Sequence, residues 1–352
     1  MNKNIRIAIL LTAAINLSGC KDDYLEKLPE TAITQENFFN SQNDLEMYVL
    51  NLYNFPGTDL YEADATTDNA STTSNKEIKN ILLGKSSAET ITGGWNWGQL
   101  RNVNFLLANI AKAKISDDLK LHYEGLGRYF RARFYVEKVQ RFSDVPWVDK
   151  VITTSDEGIL MGKRDTRDFV VQKMMEDFEF AATHVKDLSA NGAVDKSVVL
   201  QEFGRFALYE GTFRKYHEEL SLASTANQFL TKAYEVSDQI IKEGGFQIYN
   251  TGNPEKDYAS LFYSTNLEGN KEVVLGRYFA NNVLNGSSWP GMFGNYEYYP
   301  LRDLVQSYLM KDGSFYASQP GYEKFSFVKE FENRDPRLSQ TYAHPGWELM
   351  YT

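Results

Sequence analysis

Four histidines, one cysteine and a set of aromatic side chains in irregular segments are the residues of this chain that could do chemistry. His122, His184, His217 and His344 do not pair at metal-ligand spacing and form no H-E-x-x-H motif, so surface or capping roles are expected for them. No G-x-S-x-G elbow or P-loop is present. Gly125 to Phe130 (GLGRYF) begins like a phosphate loop, but it lacks the third glycine and lies inside a helical pattern, which reads as packing. Glu176, Asp177 and Glu179 read as solvated charge on a helical face rather than as the carboxylate pair that glycoside hydrolysis needs. No catalytic residue, metal ligand or cofactor is therefore expected. The aromatics offer different chemistry, because exposed Trp and Tyr grip flat, partly apolar ligands. Trp95 and Trp97 sit in a Gly-Gly-Trp-Asn-Trp-Gly run, and Trp289 sits in a Ser/Gly-rich loop followed by Tyr296, Tyr298 and Tyr299. Trp97 is expected in the core, while Trp95, Trp289, Tyr296 and Tyr298 are the candidate ligand contacts.

Cys20 is the only cysteine, so no intramolecular disulfide can form. The residues before it are Lys3 and Arg6, a short apolar stretch over Ile7 to Ile15, and then Leu17-Ser18-Gly19. About 20 apolar residues are needed to span a bilayer, so this stretch is too short for a transmembrane helix and suits a signal peptide over residues 1–19. Leu-Ser-Gly-Cys resembles the lipobox of bacterial lipoproteins, which implies lipid attachment at Cys20. Each buried CH2 of an acyl chain contributes about 0.8 kcal/mol, so several chains hold a protein durably on a membrane. Lys21-Asp22-Asp23 is similar to the signal that sends Bacteroidetes lipoproteins to the outer face of the outer membrane.

The formal net charge of -10 disfavours nucleic acid as a partner, since phosphate backbones would be repelled. Aromatic content is high at 14%, with 22 Tyr and 22 Phe to fill a core.

The apolar pattern that must position these residues is helical. Leu45, Tyr48, Val49 and Leu52 share one face, with Ser41 and Asp44 as a capping pair. Residues 56–94 read as a long irregular segment. Leu100 to Ile110 mark a second helix, and Leu119 to Phe134 a third that Pro146 ends. Asp165 or Thr166 caps a fourth carrying Phe169, Met174, Phe178, Ala181 and Val185. A fifth runs near Val199 to Tyr216, and a sixth carries Phe229, Ala233, Val236 and Ile240 and stops at Gly244-Gly245. Lys271 to Phe279 is the best strand candidate and Phe246 to Tyr249 a second. The expected fold is mainly α, with helices in successive pairs as in helical-hairpin solenoids, irregular loops and a few short strands.

Ordered motifs along almost the whole chain resemble the SusD/RagB family of outer-membrane nutrient-binding lipoproteins. They are Asp23-Tyr24-Leu25-Glu26, Trp97-Gly98-Gln99-Leu100-Arg101-Asn102-Val103-Asn104, and Gly127 to Tyr135 running on to Arg141-Phe142-Ser143-Asp144-Val145-Pro146. Ser143 stands where the family usually has Gly. Arg164 to Asp168, Asp257-Tyr258 to Phe262, Asn270 to Val273, Asp312-Gly313 and Asn333-Arg334-Asp335-Pro336-Arg337-Leu338 follow in order. The resemblance implies a tetratricopeptide-like helix-pair fold over residues 20–352. It also implies a non-catalytic, lipid-anchored protein on the exterior of the cell outer membrane. Such a protein captures a glycan nutrient and passes it to a SusC-type TonB-dependent transporter. A surface glycoside hydrolase and a protein-interaction scaffold are the alternatives. A sugar ring would lay its apolar C–H faces on the candidate aromatics, with Asn, Asp or Arg near its hydroxyls. Family members run well past the Asn-Arg-Asp-Pro-Arg segment, so the expectation is a chain whose C-terminal part is missing. It would be a fragment, a frameshifted reading or the product of a disrupted gene, with apolar faces exposed.

Overall fold

The computed structural model describes residues 38–54, 64–73, 77–87, 89–91, 93–187, 192–264, 266–278 and 298–348. Cys20 and the proposed signal peptide lie outside the described residues.

The helices start where side chains can satisfy their free N–H groups. In α1 (Gln42–Leu50), Ser41 Oγ accepts from the Asp44 N–H and the Asp44 carboxylate accepts from the Ser41 N–H at 2.9 Å, a reciprocal capping box. Within the expected irregular segment, Ala70–Thr72 forms strand β1 and Glu77–Leu82 forms α2. Helix α3 (Gly98–Asn109) follows, then α4 (Asp117–Phe142), capped by the Ser116 hydroxyl. Helix α4 ends four residues before Pro146. Ser143 takes φ 59° and ψ -85°, and this left-handed residue turns the chain out of the helix.

After the single turn α5 (Glu157–Leu160) comes α6 (Arg167–His184), whose N-cap is Thr166. Asp165 instead accepts the Trp147 N–H at 2.7 Å and ties the α4 exit to the α6 entrance. Helix α7 (Lys196–Tyr216) is capped by Asp195, and α8 (Ala226–Glu243) stops at Gly244, with Gly245 at φ 69°.

The long helices pack in chain order, α3 on α4, α4 on α6, α6 on α7 and α7 on α8. One continuous apolar core runs through them from Phe39 to Val236. Phe178 of α6 stacks nearly parallel on Phe203 of α7, with centroids 5.2 Å apart. Each such ring contributes about 1.5–3 kcal/mol by leaving water. Phe169, expected on the same stripe, is exposed, because the first turn of α6 presents Arg167 and Asp168 to α7 instead. Glycines permit the closest approaches. A Cβ on Gly127 would stand 2.6 Å from Leu107 Cδ2, and one on Gly211 would stand 3.1 Å from the backbone nitrogen of Leu230. Gly125-Leu-Gly127 is thus a packing surface, as its helical setting implied.

Buried charge also stitches the stack together. Asp177 is only 2% exposed, contrary to the solvated reading, because α4 carries its bidentate partner Arg131 across the helix interface. Arg167 pairs with Glu210, and Arg214 bonds Glu210 and Asp168. His122 is likewise buried, at 4% exposure, rather than on the surface. Its Nδ1 accepts the Lys186 N–H at 3.2 Å just beyond α6.

Beyond α8 the chain is irregular. Residues 271–278 form no strand, which corrects the expectation, and Phe279 lies outside the described residues. The two strand candidates do run side by side, with Gln247 N–H donating to Lys271 O at 3.0 Å. The next N–H, that of Tyr249, is taken by the Glu272 side chain, so no ladder forms. Helix α9 (Asp257–Tyr263) follows, and β2 (Tyr298–Pro300) pairs antiparallel with β1 in the register Ala70↔Pro300 and Thr72↔Tyr298. The chain then forms α10 (Arg302–Ser307), α11 (Phe327–Glu330) and α12 (Pro336–Thr341).

The Asn-Arg-Asp-Pro-Arg run organises this last region. Asn333 takes φ 55°. The Arg334 guanidinium donates to the carbonyls of Val305, Tyr308 and Glu330 at 2.6–2.8 Å. Asp335 caps α12, and Pro336 opens it, where a missing N–H costs nothing. Among the described residues, no helix is long and apolar enough to cross a membrane.

Candidate functional site

The spacing of Trp97, Arg101 and Asn104 puts all three on one face of α3 and its cap. That face forms one wall of a cleft of about 860 Å³. Residues of the segment that leaves α4, between Pro146 and Thr154, and of the stretch between Ile159 and Arg164 supply the rest of the lining. Trp95 stands at the rim, 41% exposed. Three neighbours hold its indole. Trp97 and Phe142 meet it edge-on at 5.1 and 4.8 Å, and the Arg164 guanidinium lies 4.7 Å over its ring.

The cleft is mostly apolar, with Leu100, Val148 and Ile152 among its walls. Its most informative polar group is Asn104, which is 1% exposed. The Asn104 amide nitrogen donates to the carbonyls of Val148 and Lys150 at 3.0 and 3.1 Å, which fixes the orientation of the side chain. Among the described residues, its Oδ1 is then left buried with no hydrogen-bond partner. A buried acceptor without a donor costs about 1–3 kcal/mol, so the position favours a ligand hydroxyl or N–H.

The α5 turn is braced by Asp156, which accepts the Lys150 ammonium and both the N–H and the hydroxyl of Thr153. The Lys150 ammonium, aided by Thr153, holds the Asp156 carboxyl down to about 2. At α3's own start, Trp97 provides no side-chain cap, and the Gly98 N–H is taken by Asn96 Oδ1 at 2.9 Å.

Of the sequence candidates, Trp95 reaches this cleft. Tyr298 lies in β2 opposite Thr72. Trp289 and Tyr296 lie outside the described residues. Trp97 packs on the core as expected, but its remaining surface lines the cleft as well. Asn104, Arg101 and Arg164 escaped sequence reasoning. For Arg101 and Asn104 the one signal was the i, i+4, i+7 spacing from Trp97, which reads equally well as an ordinary helical face. Among the described residues that line the cleft there is no carboxylate. Among the described residues, no group of three or more His, Cys, Asp or Glu side chains is placed to hold a metal ion.

The final third of the chain, residues 244–351, matches the model of the SusD family. The chain is SusD-like over this segment. A SusD-like protein P25 from Formosa agariphila is 22% identical over 90% of this chain and 64% of its own length. Two crystal structures from Bacteroides fragilis share the fold. One, a SusD-like protein, has a TM-score of 0.67 and 19% identity over 89% of this chain and 62% of its own. The other, a SusD-like carbohydrate-binding protein, has a TM-score of 0.66 and 20% identity over 86% and 60% of the two chains. The chain thus spans 60–64% of the length of these three proteins.

Proposed function

We propose that this chain is a SusD-like surface glycan-binding lipoprotein and that the cleft between α3 and the Pro146–Thr154 segment holds the sugar. The observation that carries this reading is the pairing of an exposed, pre-oriented Trp95 with the orphaned acceptor Asn104 Oδ1 in one apolar cleft. A sugar ring supplies both counterparts, a C–H face for the indole and a hydroxyl for the amide oxygen. The carbohydrate-binding relative of the same fold supports this assignment. Lipidation at Cys20 after removal of residues 1–19, exposure on the outer membrane and transfer of the glycan to a SusC-type transporter complete the proposal.

Affinity electrophoresis of the purified chain in gels containing different polysaccharides tests it. At least one glycan should retard the protein without release of reducing ends, and Trp95→Ala should abolish the retardation. Retardation that survives Trp95→Ala would remove the cleft from the assignment. Release of reducing ends would replace binding with hydrolysis.

A further inference from the structure

Among the described residues, every charged side chain that lines the cleft is a cation. They are Arg101, Lys150 and Arg164, and no Asp or Glu stands among the lining residues, although acidic residues outnumber basic ones in the chain. Chance placement of surface charge in so acidic a protein would put carboxylates there first.

The three cations are not equivalent. Lys150 is neutralised by Asp156. Arg101 donates through one NH1 to the Ile152 carbonyl at 2.8 Å, and among the described residues it forms no ion pair. Arg164 forms no ion pair among the described residues either, and it meets the Trp95 face instead. A guanidinium over an indole keeps its in-plane N–H groups for another acceptor, and a two-oxygen anion fits that fork. The start of α3 adds to this potential, since Gly98 lines the cleft and the helix opens without an acidic residue in its first turn.

We propose that the saccharide bound by this cleft is anionic. A carboxylate or sulfate substituent would be held by Arg164, with Arg101 adding positive potential, while Trp95 supports the ring and Asn104 takes a hydroxyl. This inference rests on the glycan reading of the cleft and narrows its ligand class.

The test is isothermal titration of the detergent-solubilised full chain against neutral, uronic and sulfated oligosaccharides. Maltohexaose and laminarihexaose would serve as the neutral set, tetragalacturonate and tetramannuronate as the uronic set, and a carrageenan tetrasaccharide as the sulfated one. The expected result is binding confined to acidic members. It should weaken at least tenfold in Arg164→Gln and weaken as NaCl rises from about 0.05 to about 0.5 M. Any uronate that binds should also lose affinity on methyl esterification. Arg164 is exposed, so the variant should keep the wild-type unfolding midpoint. Binding of a neutral oligosaccharide that is lost in Trp95→Ala but unchanged in Arg164→Gln would overturn the anionic inference and leave the glycan reading standing. No binding by any of these saccharides would overturn both. Uronate binding distinguishes a carboxylate ligand from the sulfated alternative.

Discussion

Arg131 of α4 and Asp177 of α6 meet in a two-bond ion pair, Nε to Oδ2 at 2.7 Å and NH2 to Oδ1 at 2.8 Å, inside the helix stack. The same guanidinium lies 5.2 Å over the ring of Trp147, which in turn stacks on Tyr135 at 4.5 Å. The pair therefore links two long helices to the segment that walls the cleft. Removing one partner strands a buried charge, whereas replacing both need not. Asp177→Ala should destabilise the chain by about 3–5 kcal/mol, and Arg131→Met combined with Asp177→Leu should restore most of that. Urea unfolding of the single and double variants checks this, and equal loss in both would refute it.

Gly211 lets α8 lie close against α7. An alanine there would place its Cβ 2.7–2.8 Å from the end of the Leu230 side chain and 3.1 Å from its backbone nitrogen, which cannot move without moving α8. Gly211→Ala should cost about 1–3 kcal/mol, while Gly158→Ala, with nothing within 4 Å, should lie close to neutral. Differential scanning calorimetry of the two variants separates packing from helix propensity, because propensity alone would make both changes favourable.

Ser143 holds a left-handed conformation, φ 59° and ψ -85°, that a side chain adopts at a cost. Ser143→Gly should therefore stabilise the chain by about 1 kcal/mol, since relief of strain outweighs the added freedom of the unfolded chain. A lower denaturation midpoint for this variant would contradict the strained reading.

His122 supplies a pH dependence. Burial, and then the nearby Lys186 ammonium, push its imidazole below the ordinary histidine value, against a smaller opposing pull from Asp118. The acceptor role of Nδ1 also requires that nitrogen to be unprotonated. The unfolded chain, with a histidine value of about 6.5, then binds the proton first as pH falls. The contribution is fully present above about 6.5 and is lost progressively as pH drops towards the folded value. His122→Gln should flatten this part of the stability profile between about pH 7 and pH 5, measured by urea midpoints against pH. An unchanged slope would assign the dependence to other groups.

The sequence by itself determined α1, α3, α4, α6, α7 and α8, because apolar periodicity and caps are local. Ser41 with Asp44, Thr166 and Gly244-Gly245 begin or end helices where their types require. It also carried the family motifs, one of which, Asn333 to Arg337, proves to be a left-handed residue, a carbonyl-binding arginine, a cap and a helix-opening proline in succession. Tertiary structure decided whatever needed a distant partner. The β1–β2 pair joins segments far apart in the chain, and the strand candidate at residues 271–278 failed because its neighbour's next N–H was taken by a side chain. Asp177 and His122 carry the residue types of a surface, and only the approach of α4 to α6 and of Lys186 buried them. The cleft follows the same rule. Trp95 was legible as an aromatic in a glycine-rich run, but the orphaned oxygen of Asn104 exists only because Val148 and Lys150, more than forty residues away, claim its amide hydrogens.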